Sequence, residues 1–265
     1  MVQPPAVPVT AAGAHLVGTP LLPPSPLPPS TKEQLVITAE RLFAVHGIDS
    51  VSLRQICTEA GNANNSAVQY HFGTKDRLLQ AIFEYRIPHL MARRNLLAAE
   101  ASASAKYDDI RTALMVQFLP LVEQAETEGS YYLGFVTQLN HQRAGDHPYW
   151  RLPADYRTNV ERYRAHLHEL LPNLSPALRW HRIQIADAAC TQACAAREQA
   201  RYLGGTPSLP YGFHLEALFD ALTGILLAPV SPMAAKIAAA LDLGDLAPFY
   251  PDIKSPAPES QPTAQ

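Results

Sequence analysis

The sequence predicts an all-α protein: an N-terminal three-helix helix-turn-helix head followed by a larger helical body. Three observations carry that prediction. Apolar residues recur at helical spacing along most of residues 31–247, as with Leu35, Ala39, Leu42 and Phe43 at i, i+4, i+7 and i+8. Residues that cap helix starts (Ser30, Ser52, Thr74) and glycines that stop helices (Gly47, Gly61, Gly73) fall at the joins. Alternating strand patterns are nearly absent.

Composition bounds the rest. The chain has 265 residues, 47% hydrophobic and 17% charged, enough for one large domain or two ordinary ones. Lys+Arg number 21 and Asp+Glu 24, a net of −3, so the chain does not adhere to nucleic acid or membrane simply by being basic. Any nucleic-acid contact must come from a local patch. The longest apolar stretch, Ala217 to Val230, is broken by Asp220, so no membrane-spanning helix is expected. Three cysteines argue against a disulfide framework and for a reducing, cytoplasmic setting. Residues 1–29 hold no lysine or arginine and so lack the basic start of a signal peptide.

Proline and charge are both unevenly placed. Residues 1–30 contain nine of the 24 prolines, and 248–265 hold five more. Proline lacks a backbone N–H and disfavours helix in the residue before it, so 1–29 reads as a disordered arm and 248–265 as a disordered tail. Residues 31–94 carry eight Lys/Arg against six Asp/Glu, while 95–265 carry 13 against 18. If any part of the chain meets phosphate, it is the first folded part.

The head follows in order. Ser30 and Glu33 have capping-box spacing and open the first helix, which Gly47 ends. Ser52 and Gln55 form a second such pair, opening a short helix with Leu53, Ile56 and Ala60 inward, stopped by Gly61. After the polar turn 62–65, a third short helix spans Ser66 to Phe72. Val68 and Phe72, at i and i+4, pin it to the head and leave Asn65, Ser66, Gln69 and Tyr70 facing out. Thr74 caps a longer fourth helix carrying Leu78, Leu79, Ile82 and Phe83 inward, with a kink expected at Pro88. Two short helices joined by a tight turn and braced by a longer one form the helix-turn-helix arrangement, whose second helix meets base edges in a major groove.

Ser52-Leu53-Arg54-Gln55-Ile56, then Ala60-Gly61, then Ala67-Val68-Gln69-Tyr70-His71-Phe72-Gly73-Thr74-Lys75-Asp76-Arg77-Leu78 resembles the DNA-binding head of the TetR (tetracycline-repressor-like) family. The likeness covers roughly residues 31–85, about a fifth of the chain. The stretch 62–66 is one residue longer than the family's commonest turn, which leaves the register there open by one. The resemblance implies base-reading roles for Arg54, Asn65, Ser66, Gln69 and Tyr70, and phosphate contacts from Ser52, His71 and Lys75. Gln69 suits adenine and Arg54 guanine; Lys75 stands at a helix start, where free N–H groups also favour anions. Other readings stand beside these: Tyr70 as a core aromatic, His71 as a cap, Arg54 as a solvated helix charge.

The body reads as helices over 107–127, 130–143, 155–171, 175–203, 211–228 and 232–242, so the domain expectation is a head over 30–77 and a body over 78–247. The family resemblance implies a ligand-binding and dimerisation body, with homodimer pairing through the helices near 175–203 and 211–228. It also implies a small-molecule inducer site among aromatic residues, with Phe118, Tyr131, Phe135 and Trp150 the candidates; each of these is also an ordinary core candidate. Cys190 and Cys194 read as small apolar filler. His166 and His168 lie about 200° apart on a helix and cannot share an ion, so no metal and no cofactor are expected. No phosphate loop, nucleophile elbow or paired catalytic carboxylates occur, so the expectation is a non-enzyme. The expected function is a ligand-responsive regulator, released by a small hydrophobic molecule from a palindromic double-stranded DNA operator; the alternative is an all-α carrier or enzyme with a vestigial head.

Overall fold

A computed structural model describes residues 28–64, 66–104, 106–142, 154–205 and 209–241, with the side chains of 154–157 and 159 excepted. The expected disordered arm and tail fall almost wholly outside these residues. Every regular element described is a helix: α1 Thr31–His46, α2 Leu53–Glu59, α3 Ala67–Phe72, α4 Lys75–Ala103, α5 Ile110–Glu126, α6 Tyr132–Gln142, α7 Ala154–Leu170, α8 Pro176–Tyr202, α9 Tyr211–Leu227 and α10 Pro232–Ala240.

The caps explain the boundaries. Ser30 and Glu33 close the full reciprocal box at the start of α1. Ser52 accepts from the Gln55 N–H at 3.1 Å, but the return bond from Gln55 is not formed, so α2 starts on half a box. Gly47 ends α1 at φ 80°, a conformation closed to side chains with a Cβ. The fourth helix is longer than its apolar pattern suggests. It runs on through Pro88 for 29 residues, the proline removing one backbone hydrogen bond without ending the helix. α5 likewise contains Pro120.

One contiguous core joins head and body, running from Leu35, Leu42 and Phe43 through Leu78 and Ile82 to Phe135, Cys194 and Phe219. The most extensive helix pairing is between α1 of the head and α6 of the body. A Cβ placed on Gly134 of α6 would stand 3.2 Å from the Ala44 Cβ of α1, so glycine permits the close approach. The ring of Phe135 lies 6.3 Å from Phe43 and 5.5 Å from Phe83, stitching α6 to α1 and α4. The expected division at 77/78 therefore falls inside α4, a helix that serves both parts.

Candidate nucleic-acid interface

The short helix α3 has one buried and one exposed side. Ala67 and Val68 are 4% and 1% exposed, and Phe72 is half-buried against the same core. Ser66, Gln69, Tyr70 and His71 are exposed, and Tyr70 is 83% so. Six residues cannot sustain an isolated helix, so α3 exists because Val68 and its neighbours bury apolar surface against the head. The polar row is the remainder of that helix's circumference.

The turn before α3 is built from asparagine. Asn62 accepts the Asn64 N–H and Asn64 accepts the Ser66 N–H, both at 2.9 Å, so side-chain carbonyls replace backbone turn bonds. Asn65 lies outside the described residues. After α3, Gly73 turns the chain at φ 74° and the Thr74 hydroxyl caps α4. Tyr70 meets His71 edge to face at 5.1 Å, which orients both rings at the surface.

The basic residues divide into two kinds. Arg54 lies exposed on α2, and Ser52 is exposed with its hydroxyl proton still available to donate. Lys75 instead turns inward. Its ammonium donates to the Val51 carbonyl at 2.7 Å and stands 5.6 Å from the centre of the Phe43 ring. It thereby fastens the start of α4 to the entry of α2. Arg41 bridges to Glu59 at 3.0 Å and ties α1 to the end of α2. Sequence reasoning missed Lys32, exposed at the start of α1, whose ammonium lies 5.7 Å from the Phe72 ring of α3. Only the fold brings that cation, forty residues upstream, beside the polar row.

Beneath the head lies a buried polar junction. Arg86 of α4 grips Glu40 of α1 through two bonds of 2.7 Å, with both side chains almost fully enclosed. Glu40 also accepts the Tyr131 N–H at 3.2 Å. Glu198 of α8 accepts from Ser130 Oγ at 2.7 Å and from the Gly134 N–H at 2.8 Å, and Gln124 donates to Ser130 at 2.9 Å. Burial pushes the Glu198 carboxyl up to about 7, against the pull of the Gly134 and Ser130 hydrogen bonds. Five helices (α1, α4, α5, α6 and α8) and the α5–α6 turn thus meet around two carboxylates and one guanidinium.

The three aromatic candidates among the described residues do not line one cavity. Phe135 is core beneath the head, and Phe118 is core edge to face with Tyr163 at 5.5 Å. Tyr131 stacks on Tyr202 at 4.9 Å along a cleft of about 280 Å³ beside the α5–α6 turn. Trp150 lies outside the described residues. His166 stacks on Tyr107 and His168 on Trp180, which gives both imidazoles packing roles. Cys190 and Cys194 are fully buried.

An all-helical chain whose first three helices hold a short, half-exposed helix behind a tight polar turn belongs to the class of helix-turn-helix DNA-binding regulators. Residues 32–82 match the model of the bacterial regulatory proteins of the tetR family. No curated protein matches the chain. A transcriptional regulator from Rhodococcus sp. Rha1 is 20% identical with TM-score 0.50, covering 77% of this chain and 100% of its own, and shares the fold. A TetR-family transcriptional regulator from Streptomyces coelicolor is 18% identical with TM-score 0.46, covering 74% of this chain and 94% of its own. The head of this chain, residues 32–82, is thus a DNA-binding helix-turn-helix of the tetR type.

Proposed function

We propose that the chain is a ligand-responsive repressor that binds a palindromic operator as a homodimer and leaves it when a small molecule occupies the body. In this reading residues 30–77 hold DNA, and residues 78–247 hold the ligand and the partner subunit. In the same reading the protein works in the cytoplasm. The observation that carries the DNA half is the exposed row Ser66, Gln69 and Tyr70 on a helix whose opposite side is buried. Gln69 offers the amide fork that pairs with adenine. Arg54 and Asn65 read neighbouring base edges, while Ser52, His71 and Lys32 contact phosphates and fix the docking. Lys75 serves phosphate only with donors left over from its Val51 bond.

The outward faces of α8 and α9 support the dimer. Ile185, Ala188 and Ala196 are exposed on α8, and Phe213, Ala217, Ala221 and Gly224 on α9. A two-fold pairing through such small apolar faces sets two recognition helices about 34–36 Å apart, one helical turn of DNA.

Selection from random duplex DNA with the full chain tests the reading. The expected result is an enriched palindrome whose binding weakens about tenfold or more with Gln69→Ala or Tyr70→Ala. Binding that is salt-sensitive but indifferent to both substitutions refutes base reading by α3.

A further inference from the structure

We infer that Glu198 is a proton-operated latch between the body and the DNA-binding head, closed when its carboxyl is protonated and released when it ionises. The inference rests on the DNA-binding reading and adds a signal to it, the proton. The head is seated on α6, which holds it at two places. Ile48, just past α1, donates its N–H to Gln142 Oε1 at the end of α6, 3.0 Å away. Near the start of α6, a Cβ on Gly134 would lie 3.2 Å from the Ala44 Cβ of α1 and 3.5 Å from Glu198 Oε2. The Gly134 N–H also donates to Glu198 Oε2 at 2.8 Å. Gly134 thus touches both a head helix and the Glu198 carboxyl, so a shift of that carboxyl against α6 reaches α1 across a single residue.

The charges decide the chemistry. Glu40, Arg86 and Glu198 are each 5% exposed or less, so little solvent screens them. Arg86 gives its Nε–H and one terminal nitrogen to Glu40. Glu198 is bonded instead to neutral donors, the Ser130 hydroxyl and the Gly134 N–H, with the backbone at Leu133 adding to them. The other ionisable groups nearby do not supply the missing cation. Tyr202, one turn on along α8, stacks on Tyr131, whose N–H goes to Glu40. Tyr85 of α4 lies under Arg86, at 5.1 Å, and Arg197 and Arg201 of α8 pair with Glu126. Two carboxylates thus share one guanidinium in an enclosed site, and the carboxyl outside the ion pair keeps its proton toward neutral pH. Glu198 is accordingly pushed up to about 7. Burial is the main cause and the Glu40 charge adds to it; together they outweigh the donors at the start of α6, which favour the anion.

A carboxyl raised in the closed seat regains its ordinary value once water reaches it, which links opening to pH. With about 7 closed and 4.5 open, the closed seat is favoured most at low pH. The opening constant then rises about tenfold from pH 6 to pH 8 and levels off above. Opening frees α1 from α6 and with it the angle at which α3 is presented, so DNA is held more weakly as pH rises.

The test measures affinity of the full chain for its selected DNA from pH 6 to pH 8 at fixed salt, in wild type and Glu198→Gln. Histidines at the interface are common to both proteins, so the difference between the curves isolates Glu198. Wild type should lose about tenfold more affinity over that range than Glu198→Gln, which mimics the protonated acid. Ser130→Ala, which removes a donor that favours the anion, should move the wild-type midpoint to higher pH, a shift that lost packing alone does not produce. Hydrogen exchange at the Ile48 and Gly134 amides, corrected for its intrinsic pH dependence, reads the seat without DNA. There too wild type should lose about tenfold more protection than Glu198→Gln. Parallel curves for the two proteins in either measurement, or a midpoint unmoved by Ser130→Ala, overturn the inference. Should Glu198→Gln fail to fold, the Ser130→Ala shift alone decides. If no duplex is selected at any pH, the DNA-binding reading fails by itself and hydrogen exchange still decides the latch.

Discussion

Arg86→Met is the most informative single change in the junction under the head. The substitution keeps much of the side chain's volume and removes the guanidinium bonded to Glu40. Glu40 and Glu198, each 1% exposed, then remain enclosed without that cation. Breaking a buried pair by deleting one partner typically costs about 3–5 kcal/mol, because the remaining charge keeps its desolvation penalty. The same carboxylate also orients the Tyr131 N–H, so the α5–α6 turn loosens with it. For a chain of this length the loss lowers the unfolding midpoint by roughly 10 °C. Urea unfolding of wild type, Arg86→Met, Glu40→Gln and the double variant forms the assay. The double variant should recover most of the loss, since it buries no unpaired charge. A loss under about 1 kcal/mol in Arg86→Met, or a double variant as weak as the sum of the singles, refutes the account of the junction as one interdependent unit.

Three further outcomes follow from the same geometry. The rise of the Glu198 carboxyl from 4.5 to about 7 corresponds to about 3 kcal/mol of stability, present in full below pH 4.5 and lost as pH climbs through about 7. Asp187, pushed up to about 6 by burial, acts in the same direction, so Glu198→Gln should flatten only part of a pH–stability curve measured by denaturation. Val68→Ala should cost about 2 kcal/mol and weaken all DNA binding, because it removes the anchor of α3, whereas Tyr70→Ala should leave the unfolding midpoint unchanged. Lys75→Met should lower stability by about 1 kcal/mol through loss of the Val51 bond; a salt slope of DNA binding reduced by about one unit would show that it also contacts phosphate.

The helices were legible because their signals are local. Capping side chains, glycine stops and 3.6-residue periodicity lie within a few residues of the backbone they govern, so the helices other than α4 fall within a few residues of their expected ends, while α4 runs on past Pro88. The exposed row on α3 was legible for the same reason, since Val68 and Phe72 fix which side is buried. Long-range pairing was not legible. Nothing near Lys75 in sequence announces that its ammonium meets the carbonyl of Val51, nor does local pattern place Lys32 beside Phe72. Glu40, Arg86 and Glu198 each look like solvated charges on amphipathic helices, yet all three are buried because the faces that carry them turn toward one another. Aromatic type alone does not separate a pocket wall from core. Phe118 and Phe135 went to the core, as large apolar side chains do where no cavity is left for them.

The unbroken course of α4 makes it a lever. Its 29 residues span about 43 Å at 1.5 Å per residue. A tilt of roughly 5° about its far end carries Lys75 through about 4 Å, slightly more than the 3.4 Å between successive base pairs. The same tilt moves Arg94, nine residues from that end, by only about 1 Å, and in the proposed DNA complex it would put α3 out of step with a groove.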